Sequence, residues 1–190
     1  MDKIDIILNY WFEGVNDATA IDKKALPFAK WFIKDKKLDE EIREQFESDL
    51  MKAADGEYKD WEGSAKGHLA LILLYDQFSR NIYRDTPRMY AYDALALDLT
   101  LRTIDQGWDQ ELSLIQRTFV YVPLMHFEDP TLQQLSVKYF TGLVELSKVK
   151  TSGNMHYYES TLKYAREHHD TVVRFGRFPH RDAILNRTIG

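Results

Sequence analysis

The sequence predicts an all-α domain, and three observations carry that prediction. Apolar residues recur at helical spacing in nearly every long segment. Glycine, proline and capping residues divide those segments at short intervals. No stretch alternates apolar and polar residues as a half-buried strand would.

Each element follows in order. Ile4, Ile7, Leu8 and Trp11 fall at i, i+3, i+4 and i+7, and Gly14 follows as a stop. The polar stretch VNDATAIDKKA reads as a loop, and a short aromatic piece at Phe28, Trp31 and Phe32 follows it. Leu38, Ile42, Phe46 and Leu50 make a second long stripe that ends at Gly56. KGHLALILLYDQFSRNIY is apolar on all sides in its first half, the pattern of a central, buried helix. Thr86 is the expected N-cap, and Pro87 the first position, of a helix that closes at Gly107. Asp109 is expected to cap the next helix, which carries Leu112, Ile115 and Phe119. Pro123 is expected to kink or end that helix, because it lacks an N–H and crowds the preceding turn. Asp129 and Pro130 repeat the cap-plus-proline signal ahead of Leu132, Leu135, Tyr139, Leu143 and Leu146. KTSGN is a turn with Asn154 as a cap, and Tyr158, Leu162, Ala165, His169 and Val172 form the last long stripe. FGRFP breaks it, and a short helix is expected from His180. The total is about seven helices joined by tight loops. No repeat of solenoid length aligns and no Gly- or Ser-rich linker appears, so residues 1–190 read as a single domain.

Composition narrows the function classes. A chain of 190 residues can bury a sizeable core without staples. With no cysteine there is no disulfide, thiolate metal site or cysteine nucleophile. A net charge of -5 repels phosphate backbones and argues against general nucleic-acid binding. MDKIDIILNYWFEG lacks a basic leader, and Asp5, Asn9 and Glu13 interrupt its apolar run, so it reads as neither signal peptide nor membrane span. The expected setting is soluble and cytoplasmic, with no membrane partner.

Three polar groups break the apolar pattern. Asp76, Arg80 and Arg84 follow one another at spacings of four on the central helix, so Asp76 can pair with Arg80 in the favourable acid-first order. Buried in an apolar turn, each of these charges needs a partner, which makes the set either an architectural network or part of a ligand site. His126 lies just past Pro123, beside Glu128 and Asp129, where a kink would re-aim side chains. A metal reading would need His126, a carboxylate and one of His168 or His169, but no HExxH-like spacing is present, so no metal and no cofactor is expected. His169, Arg174, Arg177, His180 and Arg181 form the densest cationic group. Guanidinium forks suit carboxylate or phosphate, and Gly176 and Pro179 turn the backbone there. The competing reading is that Phe175 and Phe178 anchor the C-terminal segment while the arginines pair with Asp76, Glu128 or Asp129. No GK[ST] phosphate loop occurs, and EGSAKG lacks the glycine spacing of a nucleophile elbow. Trp11, Trp31, Trp61 and Trp108 read as core or rim anchors.

The segments ILNYWFEG, KWFIKD, LILLYDQFSRNIYRDTPRMYAYD, YVPLMHFEDP and VVRFGRFPHRDAIL, in this order over nearly the whole chain, resemble the signature segments of the DUF924 family. The resemblance implies an all-α fold, a right-handed antiparallel helical array similar to tetratricopeptide-repeat domains without readable repeats. It implies no activity. The family pattern most often has proline where Ser79 stands, serine where Phe127 stands and asparagine where Asp182 stands. Members also usually continue into an acidic S-x-E-E stretch, so relative to them this chain is expected to lack a terminal segment.

Two functions from different classes follow. The first is a site for a small anionic molecule, either a binding site alone or an enzymatic one. Asp76, Arg80, Asn81, Arg84, His169, Arg174, Arg177 and Arg181 would bind the ligand, and His126 or His180 would transfer protons near neutral pH. The second is a helical module for a protein partner, with the polar motifs serving as structural ion pairs.

Overall fold

The computed structural model describes residues 2–22 and 28–188. Eight α-helical segments occur among them: α1 (Lys3–Phe12), α2 (Lys36–Ala54), α3 (Ala65–Ile72), α4 (Ser79–Ile82), α5 (Asp93–Asp105), α6 (Leu114–His126), α7 (Pro130–Lys150) and α8 (Met155–Phe175). A π-helical stretch, Leu73–Phe78, joins α3 to α4, so these three run on as one rod and the described residues hold seven helices. No strand occurs among them. The fold is all-α, as the periodicity predicts.

The central rod is the hub. Leu69, Ala70, Ile72, Leu73, Leu74 and Phe78 are fully buried, because helices cover it on several sides. α2 packs on its second half, while α1, α5 and α6 pack on its first. α7 and α8 are joined by the 3₁₀ turn Ser152–Asn154 and pack against each other. α6 touches both. Stripes expected on α1, α2 and α8 are mostly buried, with Ile7, Ile42, Leu50, Ala165 and Val172 all at 0% exposure, while Ile4, Leu38 and His169 are half-buried. None of the described helices is long and apolar enough to cross a membrane.

Several local expectations change. The loop expected over residues 15–25 lies partly outside the described residues. Thr86 precedes only a 3₁₀ turn, Pro87–Tyr90, and its hydroxyl donates back to the Tyr83 carbonyl instead of capping. Asp109 does not cap α6. Ser113 does, in a reciprocal box with Gln116, while the Asp109 carboxylate accepts from the Tyr121 hydroxyl. α6 does not stop at Pro123 but continues to His126. Asp129 caps α7 as expected, accepting from the Thr131 and Leu132 amides. Asn154 precedes α8 but makes no side-chain cap; its amide group binds Ile21 N, the Thr19 carbonyl and the Thr151 hydroxyl.

The α7 stripe is rotated from its expected face. Leu143 is buried as expected, but Leu132, Leu135 and Tyr139 are only half-buried and Leu146 is exposed, whereas Gln133, Ser136, Phe140 and Ser147 are fully buried. Small hydroxyl residues permit close helix approach, and Gln133 earns its burial by donating to the Met125 and Phe127 carbonyls. Those two bonds secure the end of α6, where His126 sits.

Candidate functional site

Three helical lines converge on one cleft of about 430 Å³. Gln77, Arg80, Asn81 and Arg84 come from the central rod and the turn after it. Thr118, Val122, Met125 and His126 come from α6, and Tyr157, Thr161, Tyr164 and His168 from α8. Steps of three and four residues keep each set on one side of its helix. The buried rings of Trp11 and Phe119 form inner wall, and the exposed Phe32, Ile33 and Lys34 stand at the outer edge. Phe119 meets Trp11 and Trp31 edge-on, at 5.7 and 5.0 Å between centroids.

The π-helical stretch places the first charged group. A π turn takes one residue more than an α turn, and such turns recur at functional sites. Asp76 and Gln77 lie within this one. Asp76 is 1% exposed, so its charge must be answered locally. One carboxylate oxygen accepts from His126 Nδ1 at 2.7 Å and lies 3.2 Å from Arg80 Nη1. The other accepts from Gln77 Nε2 at 2.5 Å. Burial alone would raise the Asp76 carboxyl, but Arg80 and His126 outweigh it and hold the group at about 2.

His126 is the complementary case. Burial pushes its pKa down and Arg80 adds to that, while Asp76 opposes both; the result is a lowered pKa. A carboxylate only accepts, so Nδ1 carries the proton and Nε2 the lone pair. Nε2 has no bonded partner among the described residues.

The arginines are already matched. Arg80 Nη1 donates to the Asp76 carbonyl at 2.7 Å, and Nη2 lies 2.9 Å from an Asp93 oxygen. Arg84 does not continue the Asp76–Arg80 line. It grips Asp39 of α2 through two bonds of 2.5 and 2.7 Å, and Asn81 donates to the same carboxylate at 2.8 Å. Lys30 is buried and bound to the Tyr10 carbonyl and the Glu13 carboxylate. Lys34 has no acidic partner among the described residues, so it supplies the unbalanced positive charge at the cleft.

The C-terminal basic group does not line this cleft. His169 sits beside Asp170 at 3.1 Å, Arg174 is exposed and lies 4.9 Å over the Phe175 ring, and His180 is exposed. Arg177 pairs with Asp182 at 3.0 Å. Arg181 is 6% exposed and lies behind His126: Nη2 donates to the His126 carbonyl at 2.8 Å, Nη1 is 3.4 Å from Asp93, and the guanidinium covers the Tyr90 and Phe178 rings. Phe178 is buried, and its amide donates to Glu128, which Arg187 holds with two bonds. Gly176 supplies the left-handed turn, φ +66°, that lets this segment fold back. The motif is a clasp that positions the end of α6.

Sequence reasoning passed over Lys34 and Gln77 and preferred His169 to His168. A signal for His168 was present: Tyr157, Thr161, Tyr164 and His168 repeat at helical steps beside the buried stripe. Among the described residues no group of three or more metal-ligating side chains could hold an ion.

Fold and site together define an all-helical protein with one aromatic-walled cleft and a buried carboxylate–imidazole pair facing it. The chain belongs to the family described as bacterial protein of unknown function, DUF924, whose pattern matches residues 7–189. Among solved structures it is similar to the protein of unknown function ATU0120 from Agrobacterium tumefaciens. The two are 36% identical with a TM-score of 0.78, over 98% of this chain and 92% of that one. No curated protein matches the chain.

Proposed function

We propose that the cleft binds a small organic anion with an aromatic body, and that His126 is its proton-accepting group. The observation that carries this reading is the Asp76–His126 bond of 2.7 Å on the wall of a 430 Å³ cleft. Asp76 fixes the tautomer and would stabilise the imidazolium formed when Nε2 takes a proton, the division of labour seen wherever a carboxylate orients a general base. Lys34 and the spare Nη1 of Arg84 offer donors to an anion, and Asn81 borders the same space. Trp11, Trp31 and Phe119 offer flat apolar surface.

A thermal-shift screen comparing aromatic carboxylates, aliphatic carboxylates and phosphates tests the reading. Saturable stabilisation by aromatic carboxylates is expected, about 2.7 kcal/mol at a hundredfold excess over Kd. His126→Gln should keep its circular dichroism and lose about 0.6–1.3 kcal/mol of that shift, the effect of a threefold to tenfold weaker Kd. No saturable shift with any anion would sink the proposal, as would a folded His126→Gln that binds unchanged.

A further inference from the structure

The ligand class can be narrowed, resting on the cleft reading above, because a second imidazole shares the same wall. His168 Nδ1 lies 2.8 Å from the Tyr164 carbonyl. A carbonyl only accepts, so Nδ1 holds the proton and Nε2 is left as a lone-pair acceptor. The same logic fixed His126 through Asp76. The two rings are 6.3 Å apart between centroids and both line the cleft. Neither Nε2 has a bonded partner among the described residues. Burial lowers the pKa of both rings, which keeps both lone pairs available at neutral pH.

Two adjacent acceptors call for two donors from the ligand. An ammonium could donate to both, but it would add a second cation to a cleft whose Lys34 already lacks an acidic partner among the described residues. Neutral hydroxyls carry no such penalty. One hydroxyl has one proton, so serving both rings takes two hydroxyls on neighbouring atoms. The remaining wall asks for the opposite chemistry. Lys34 is an uncompensated cation at the cleft and suits an anionic oxygen. The cleft is also lined by Trp31, Phe32 and Phe119.

We propose that the cleft selects an aromatic carboxylate bearing two adjacent hydroxyl groups, which donate to Nε2 of His126 and Nε2 of His168 while the carboxylate faces Lys34. His168 is thereby a specificity-determining residue.

Isothermal titration under argon with four probes tests this: benzoate, para-hydroxybenzoate, protocatechuate (the ortho-dihydroxy acid) and vanillate, its methyl ether. Each added hydroxyl should tighten Kd by about threefold to tenfold, the range of one net hydrogen bond. Vanillate should fall back to the level of para-hydroxybenzoate. In His168→Phe, which keeps a ring against Phe178, protocatechuate should bind no tighter than para-hydroxybenzoate. The ligand-side comparison stands even if that variant misfolds. If benzoate binds and the hydroxyls add nothing, or a folded His168→Phe retains the second gain, this inference is overturned and the cleft reading survives. If none of the four binds, both are overturned.

Discussion

Replacing Asp76 by asparagine removes the charge at the centre of the site while nearly preserving its shape. The carboxyl is held at about 2 against an ordinary 3.8, so the folded state favours its ionised form by about 2 kcal/mol. Bond geometry gives a second view. The two carboxylate oxygens serve His126 Nδ1, Arg80 and Gln77 Nε2, whereas an amide leaves one oxygen for those donors. A buried donor left without a partner costs about 1–3 kcal/mol. Arg80 keeps Asp93 at 2.9 Å and the carbonyl of residue 76 at 2.7 Å, so the full penalty of about 3–5 kcal/mol for stripping a buried pair is an upper bound. The expected loss is about 3 kcal/mol, or roughly 6–12 °C in Tm for a chain of this size. Urea unfolding and thermal melts at neutral pH measure it. The folded pKa is depressed, so the contribution of Asp76 is present above about pH 4 and is lost as pH falls toward 2. The gap between wild type and Asp76→Asn should therefore close across that window. A loss below about 0.5 kcal/mol at neutral pH, the scale of an ordinary surface substitution, would refute the network's central role.

Three further outcomes are expected. In Gly67→Ala the new Cβ would fall 1.9 Å from the Trp61 carbonyl oxygen, so α3 and the preceding turn must separate. A lowered urea midpoint worth about 1–3 kcal/mol should result, and an unchanged midpoint would contradict the close approach. His68 is fully buried; Nε2 donates to the Glu62 carbonyl, and burial lowers the ring's pKa. The unfolded chain takes up this proton near pH 6.5 while the folded one resists it, so Tm should decline as pH falls through that value. A Tm that rises or stays flat there would contradict the assignment. In the C-terminal clasp, Arg177→Ala should cost under about 1 kcal/mol, because its pair with Asp182 is partly exposed and local. Arg181→Ala should cost about 1–3 kcal/mol, since it removes the donor to the His126 carbonyl and leaves Asp93 with Arg80 alone. Equal effects on chemical denaturation would remove the distinction drawn between the two arginines.

Local signals determined much of this protein. Helical spacing marked α1, α2 and α8 and the buried first half of the central rod. Asp129 and Pro130 marked the start of α7. The four-residue step marked the Asp76–Arg80 pair, observed at 3.2 Å. Each of these depends on residues within a turn or two of one another, so the chain encodes it without reference to the rest of the fold. Tertiary structure decided the others. Arg84 sits one step further along the same series, yet it binds Asp39, forty-five residues away. His168 rather than its neighbour His169 lines the cleft, because the rotation of α8 is set by α6 and α7. Gln133 and Ser136 displace leucines from the buried face of α7, because that face abuts the end of α6. Of the densest run of arginines, Arg181 closes behind His126 through Asp93 and the His126 carbonyl, Arg177 pairs with Asp182, and Lys34 is left as the cation that faces the cleft unpaired among the described residues. A helical period specifies which side of a helix is apolar. It cannot specify what stands opposite, and for a buried charge the group standing opposite is what separates architecture from a binding site.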